Sequence, residues 1–310
     1  MKLIVIIFVI MGNVKCYSSS FINTYYTEIS YAQKLLIENK EDSSCKMFVK
    51  IFEESDLFYI NDFVLPLQVC IKRNDTSNYT KLIKLLKTKG NYIKTIENVF
   101  NHNKISKDSF WSCYFHLNKN SSENKICSYK TIVDSLFIKD QEDRKIAYST
   151  FFLFRKKKIN DWDKNSLIRL KYFFKEVNVL DEHLLGLNNS QLYHDKIYTI
   201  FYHYPIAFTK FKNELTKYLI NGELHPRHYA WIEEFESRHK NKLKRQRKCA
   251  FNYGFFLLDC PHSHSLLWDV KSKKSINENR LKIDLPSYEH DLKLFNYIKR
   301  NNYLFSVSKY

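Results

Sequence analysis

The fold is decided by two stretches that begin 34 residues apart, YAQKLLIENKEDSSCKMFVKI (31–51) and LPLQVCIKRNDTSNYTKLIKL (65–85). Four apolar positions recur at this offset: Tyr31, Leu35, Phe48 and Ile51 have counterparts at Leu65, Val69, Leu82 and Leu85. Thirty-four residues is the period of a tetratricopeptide-type helix pair. Only the apolar character repeats, and Pro66 stands where that repeat usually has a small residue. The pattern predicts a short tetratricopeptide-like, helical-repeat domain over residues 21–118.

The rest of the chain also predicts helices, so we expect a mostly α protein with a second, α-rich domain over 126–305. Residues 118–125 are polar and aperiodic, which is typical of a linker. Apolar stripes at helical spacing then predict further elements. The expected helices are 126–158, 166–177, a segment beginning at Lys196, 208–219, 227–239, 276–281 and 287–299, with a basic loop at 240–248 and an extended segment at 250–258.

The N-terminus carries the pattern of a secretory signal peptide over residues 1–16. Lys2 precedes the apolar run Leu3–Met11, and Val14 and Cys16 suit the −3 and −1 positions of a cleavage site, so the mature chain would begin near Tyr17. We therefore expect an exported protein that is periplasmic, on the cell surface or secreted. Lipidation of Cys16 is the alternative. Apolar runs are too short to cross a bilayer, so no transmembrane segment is predicted.

The formal net charge is +17, with 50 Lys and Arg against 33 Asp and Glu. Only ten of the basic residues are Arg, although Arg is the side chain that grips phosphate bidentately. We therefore interpret the charge as compositional and predict no nucleic-acid partner. The basic stretch 240–248 is interpreted as a solvated loop, with an acidic surface polymer as the alternative ligand.

Six cysteines follow the predicted cleavage site, and sequence alone cannot choose among their fifteen pairings. The pairs close in sequence, which we expect to form local disulfides in an oxidising compartment, are Cys113 with Cys127 and Cys249 with Cys260. Cys45 and Cys70 lie among apolar residues at helical spacing. They are expected to be buried free thiols.

A family resemblance rests on residues between 203 and 286. These are His203, Phe208, LINGELHPRHYA (219–230), Glu234, Tyr253-Gly254 and NENRLKIDLP (277–286). Together they resemble a bacterial domain-of-unknown-function family whose members carry Gln-His, Ala-x-Leu-x-Asp-Arg and Tyr-Gly-Thr-Gln segments and an Arg before Gly-Leu-Pro. Residues 134–141 and the N-terminal helices resemble the form found in the Bacteroidota. The resemblance implies a fold class and a lineage, but no activity.

Three polar residues at the family positions are the candidate catalytic group: His203, Glu234 and Arg280. A histidine exchanges protons near neutral pH, a carboxylate orients it and an arginine holds an anion. The alternative is a buried network that joins three helices. Other family positions have become aromatic, at Tyr202, Phe235, Phe255 and Phe256.

Two further residues, Arg227 and His228, are candidate ligand-binding residues. They follow Pro226 at a predicted helix start, where backbone N–H groups attract anions. The cluster around Cys260, His262 and His264 lacks the spacing of a zinc signature. No metal site and no cofactor are predicted.

The aromatic replacements favour a non-enzymatic function. We expect an exported binding or interaction module, with a protein or peptide partner in the N-terminal helical region. One alternative is an enzyme of unknown class that uses His203, Glu234 and Arg280. A second is a surface-associated protein of the toxin or immunity type.

Overall fold

The computed structural model describes residues 19–55, 59–90, 99, 101, 123–177, 193–204, 206–243, 253 and 270–303. Within these residues the secondary structure is helical, without a strand. The helices are α1 (Ser19–Ile37), α2 (Glu41–Glu54), α3 (Ile60–Lys72), α4 (Thr76–Gly90), α5 (Glu123–Ser149), α6 (Phe152–Glu176), α7 (Tyr193–His203), α8 (Ala207–Ile220), α9 (Pro226–Leu243), α10 (Val270–Leu281) and α11 (Tyr288–Arg300). The prediction of a mostly α fold is confirmed.

Helices α1–α4 pack around one apolar core. Phe48, Ile51, Val69 and Leu82, four of the positions that repeat in the sequence, are buried in this core. Tyr31 is exposed instead, because it faces away from the neighbouring helices. The two helix pairs are consistent with the spacing of the pattern, and the tetratricopeptide-like repeat itself stays a prediction.

A disulfide joins α2 to α3 in this core, between Cys45 and Cys70. The expectation that these cysteines are free thiols is therefore wrong. Their Cα atoms lie 5.6 Å apart, which is the ordinary separation for a bridge. The prediction favoured cysteines that are close in sequence. The observed disulfide instead joins residues 25 positions apart, because α2 packs against α3. The side chains of the two pairs expected to bridge lie outside the described residues.

The C-terminal helix α11 belongs to the same core. Leu294, Tyr297 and Ile298 are buried against the N-terminal helices, and α11 contacts α1. The Tyr297 hydroxyl donates a hydrogen bond to Glu41 at 2.5 Å. The predicted second domain, 126–305, includes this helix, and the division of the chain into two domains stays a prediction. An amphipathic pattern reveals a buried face, but it does not reveal which helices cover that face.

Helices α5 and α6 form an antiparallel hairpin, where a single helix over 126–158 was expected. The chain turns at Ser149–Phe151 because both hydroxyls there bond to the carbonyl oxygen of Ile146, that of Thr150 at 2.6 Å and that of Ser149 at 3.3 Å. Such bonds compete with the helical ladder. Phe151 is extended, with φ −51° and ψ 142°, and α6 begins after it.

Helices α7, α8 and α9 pack with the hairpin around a second core rich in aromatic residues. Helix α8 ends as expected at Asn221-Gly222, where Gly222 has φ 73°. Pro226 opens α9, as predicted. This helix continues to Leu243, so the first residues of the expected basic loop at 240–248 are helical. Of the expected extended segment 250–258, only Tyr253 lies within the described residues.

Candidate functional site

The structure brings two of the three candidate catalytic residues together in a sealed cluster. Glu234 accepts a hydrogen bond from the backbone N–H of Tyr253 at 3.0 Å, and Arg280 donates to the carbonyl oxygen of Tyr253 at 2.8 Å. Glu234 is 0% exposed and Arg280 is 1% exposed. Both side chains therefore hold the chain at Tyr253, and neither presents a reactive atom at the surface.

The guanidinium of Arg280 also bonds to Asp291, which Arg227 grips from the other side. The two Arg227 nitrogens donate to the two Asp291 oxygens at 2.9 and 2.7 Å. Burial alone would raise the pKa of the Asp291 carboxyl, but the two guanidinium groups outweigh burial and hold this pKa below its ordinary value. Arg227, a predicted anion ligand, is thus bound to a carboxylate of the protein itself.

His203, the third candidate, belongs to a different cluster, built around Asp140. The carboxylate of Asp140 is fully buried. It receives hydrogen bonds from Trp162 Nε1 and Ser166 Oγ, both at 3.0 Å, and lies 2.5 Å from His203 Nδ1. The described contacts of His203 are with Asp140, Trp162 and Arg144. Neither Glu234 nor Arg280 is among them.

Both ring nitrogens of His203 are in use. Nε2 lies 3.4 Å from a guanidinium nitrogen of Arg144. A guanidinium can only donate a hydrogen bond, so a hydrogen bond between these two atoms has Nε2 as the acceptor and leaves Nδ1–H to donate to Asp140. A general base needs a free lone pair near its substrate. The contact with Arg144 lies at the surface, whereas the buried bonds of Asp140 to Trp162 and Ser166, with its contact to His203, join α5, α6 and α7.

The two histidines at the start of α9 are held by protein contacts. His225 accepts a hydrogen bond from the backbone N–H of Arg227 at 3.0 Å, and its Nε2 lies 3.5 Å from Asp62 of α3. His228, a predicted ligand residue, stacks on Tyr198 with ring centroids 4.1 Å apart. His225 therefore caps α9, and it also links α9 to the first core, a contact that the sequence did not indicate.

Across the described ranges, no group of three or more His, Cys, Asp or Glu side chains could hold a metal ion. The cluster of Cys260, His262 and His264 lies outside those ranges. No described helix is both long enough and apolar enough to cross a membrane.

The most distinctive surface of the described chain is the α5–α6 hairpin. The described residues include thirteen exposed large apolar side chains, and eight of them belong to this hairpin and its turn. These eight are Ile138, Ile146, Tyr148, Phe151, Leu153, Phe154, Ile168 and Tyr172. Single exposed apolar residues are ordinary, whereas eight on one hairpin make it the candidate interaction surface.

Five of the eight lie at the end of the hairpin that carries the turn. We call residues 144–158 the hairpin apex. Ile146, Tyr148, Phe151, Leu153 and Phe154 are each more than half exposed there. The apex also holds six basic residues, Arg144, Lys145, Arg155, Lys156, Lys157 and Lys158, and no acidic residue. Exposed apolar side chains and a concentrated positive charge thus share the turn end of the hairpin.

Polar contacts fix the shape of the apex. The guanidinium of Arg155 donates to the carbonyl oxygen of Tyr148 at 3.3 Å, across the turn. The ring of Tyr148 meets Trp162 edge to face, with centroids 6.0 Å apart, and Arg144 lies 6.0 Å from the centre of the Tyr148 ring. The apex is therefore braced against the Asp140 cluster beneath it.

Two depressions flank the hairpin. One is a groove of about 520 Å³ along its length, lined by Leu136, Ile168, Tyr172 and other residues. The other is a cleft of about 370 Å³ next to the apex, lined by Ile146, Lys158, Trp162 and others. Both depressions are walled by α5 and α6, so they extend the hairpin surface.

Comparison of the chain with family models, curated proteins and solved structures found no match. The resemblance to the bacterial family therefore stays an expectation.

Proposed function

We propose that this chain is an exported binding protein that contacts its partner through the surface of the α5–α6 hairpin. The observation that carries the proposal is the concentration of exposed apolar side chains on that hairpin. Leaving such a cluster in water is unfavourable by roughly 25 cal/mol per Å² of apolar surface. A partner that covers the cluster removes this cost.

Two features support export. The N-terminal residues carry the order of a signal peptide, with a basic residue, an apolar run and a cleavage site near Cys16. The disulfide between Cys45 and Cys70 is of the kind that persists in oxidising compartments.

The hypothesis of an enzyme that uses His203, Glu234 and Arg280 has less support. Glu234 and Arg280 are buried around Tyr253, while His203 is bound by Asp140 and Arg144. A reacting group needs access to substrate.

A partner in the N-terminal helical region remains a separate prediction. In the described part of residues 19–90, Tyr31 is the one large apolar side chain that is exposed. That region therefore offers less exposed apolar surface to a partner than the hairpin does.

The hypothesis of a toxin- or immunity-type protein has no specific observation in its favour.

A photoreactive phenylalanine analogue tests the proposal directly. Placed at Phe154 in the chain expressed by its own cells, it should form a cross-link with a partner, whether protein or lipid. The matched control is the same analogue at Leu281, an exposed residue of α10. Cross-linking at Phe154 and not at Leu281 is the expected result. Equal yields at the two positions, or none at Phe154, would refute the proposal.

Mass spectrometry of the exported protein tests the N-terminus. We expect a chain that begins near Tyr17. A chain that begins with a lipid-modified Cys16 would establish anchoring instead, and a chain that retains Met1 would contradict export by cleavage.

A further inference from the structure

The hairpin apex combines two properties that a membrane surface recognises. Its apolar side chains can enter the boundary between headgroups and acyl chains, and its basic side chains can meet anionic headgroups. Resting on the function proposed above, we propose that the partner of the apex is an anionic lipid surface, to which the protein binds peripherally without crossing it.

The order of residues in α6 places the two properties on the same face. Leu153 is followed by Lys156 and Lys157 at positions three and four residues on, and Phe154 by Lys157 and Lys158. Side chains with these spacings are neighbours on a helix surface. All five are exposed. When Leu153 and Phe154 enter the lipid, the lysines reach the headgroups above them, because a long aliphatic stem lets the ammonium stay in the polar layer.

The bracing of the apex favours insertion. The Arg155 bond to Tyr148 and the packing of Tyr148 on Trp162 join the two helices next to the turn before any lipid is met. Little conformational entropy is then lost on binding. The aromatic residues also suit the boundary layer, where amphipathic rings concentrate.

Charge argues against a second copy of the chain as the partner. Two apexes face to face would each bring six basic residues and no acidic one, and like charges repel. Charge also fits nucleic acid, but exposed aliphatic side chains such as Ile146 and Leu153 gain nothing from a phosphate backbone. An anionic lipid surface satisfies both the charge and the apolar area.

Vesicle binding of the exported chain tests the proposal. We expect the protein to bind phosphatidylcholine vesicles that contain roughly one third phosphatidylserine, and binding to vesicles of phosphatidylcholine alone to be at least about tenfold weaker. Salt should weaken binding, because it screens the attraction between exposed charges. Equal binding to both vesicles, or to neither, would overturn the proposal.

Two apex variants separate the contributions. Replacement of Lys156, Lys157 and Lys158 by Gln should weaken binding by roughly 100-fold. Each basic residue near an anionic surface raises the affinity for that surface about fivefold. The double variant L153S/F154S should weaken it about tenfold or more, because less apolar surface enters the lipid. The wild type and both variants have the same N-terminal residues, so any effect of those residues on vesicle binding is the same in all three proteins.

Matched variants control for charge and apolar area elsewhere. Gln at Lys210, Lys212 and Lys217, which are exposed on α8, removes the same charge as the triple apex variant. The variant I220S/L281S removes two exposed apolar side chains outside the hairpin. Both controls should bind within about twofold of the wild type. If either control loses as much binding as its apex counterpart, the apex is not the lipid-binding surface.

Other partners give different outcomes. If the exported chain binds single-stranded RNA through the apex and ignores anionic vesicles, or if it dimerises through the apex in solution, the lipid proposal is wrong. If the photoreactive group at Phe154 labels a protein while vesicles remain unbound, the lipid proposal fails and the proposed binding function stands. If neither labelling nor vesicle binding occurs, both proposals fail.

Circular dichroism of each variant distinguishes a folded variant from a misfolded one. If L153S/F154S does not fold, the single variant L153S replaces it.

Discussion

At the residue scale, one cluster of charges is centred on Asp291, the carboxylate that lies between Arg227 and Arg280. Replacement of one member of a buried ion pair leaves an uncompensated charge, and this typically costs 3–5 kcal/mol. We therefore expect Asp291→Asn to lower the free energy of unfolding by about 3 kcal/mol near pH 7, measured by urea denaturation.

The control is Asp42→Asn, which breaks the exposed pair of Asp42 with Arg73. Surface pairs contribute about 0–1 kcal/mol, so this variant should differ little from the wild type. The pKa of Asp291 is lowered in the folded protein, so its contribution is present above its ordinary pKa near 4 and is lost as the pH falls below it. The difference in unfolding free energy between wild type and Asp291→Asn should therefore shrink as the pH falls below about 4. Equal losses for the two variants near pH 7 would contradict the assignment.

Asp163 of α6 should give the opposite pH dependence. Burial raises the pKa of its carboxyl to about 6. A carboxyl with a raised pKa favours the folded state at low pH, and this contribution is lost as the pH rises from about 4 through 6. Asp163→Asn carries no charge at any pH. It should therefore be more stable than the wild type by about 1 kcal/mol at pH 8, after allowance for solvent screening, and the difference should shrink as the pH falls toward 4.

Urea denaturation at a series of pH values measures this dependence. Asp161→Asn, which removes a carboxylate from the same helix, is the control for loss of charge alone. The raised pKa would be contradicted if the difference in unfolding free energy between Asp163→Asn and wild type is the same at pH 4 and at pH 8.

The sequence singled out three polar residues as candidates, but it did not indicate what they contact. His203, Glu234 and Arg280 stood out because they are polar at positions with a family resemblance. Their partners could not be read from the sequence, since Asp140 is 63 residues from His203 in the chain and Asp291 is 64 residues from Arg227. Asp140 and Ser166 lie on two predicted helices and Trp162 lies between them, and a carboxylate that will be buried looks in the sequence like any other charged position.

At the element scale, the disulfide between α2 and α3 stabilises the first core. Its cysteines are 25 residues apart. For a loop of that size, the loss of chain entropy in the unfolded state gives about 3 kcal/mol. The double variant C45A/C70A should lose about that much unfolding free energy, measured by guanidinium denaturation. The wild type treated with dithiothreitol is the control and should lose a similar amount. No change in either protein would contradict the bridge.

The hairpin was the element that sequence reasoning placed least well. Residues 126–158 were predicted as one helix because the turn contains neither Gly nor Pro. The break depends on the hydroxyls of Ser149 and Thr150, which bond to Ile146, and these residue types also occur inside helices. The exposed apex followed from this break, so the surface that carries the proposed function could not be seen in the sequence.

At the scale of the whole molecule, α11 is expected to make the N-terminal and C-terminal parts unfold together. Leu294 is buried in the first core, while Asp291 on the same helix binds Arg227 and Arg280. Leu294→Ala should lower the free energy of unfolding by 2–4 kcal/mol, as cavity-forming substitutions typically do. Leu292→Ala, on the exposed side of α11, should cost less than about 0.5 kcal/mol.

Fluorescence and circular dichroism should show a single transition in both proteins. Two transitions, with only one of them moved by Leu294→Ala, would contradict the joint packing and would favour the separate domains that the sequence predicted at 21–118 and 126–305.

The central claim is that the protein acts by binding through the hairpin apex, and competition for the cross-link at Phe154 tests it most directly. Unlabelled wild-type protein in excess should abolish the cross-link, as should the control variant I220S/L281S. The apex variant L153S/F154S should compete at least about tenfold less well. If all three competitors are equally effective, or if none reduces the cross-link, binding does not depend on the apex and the claim is wrong.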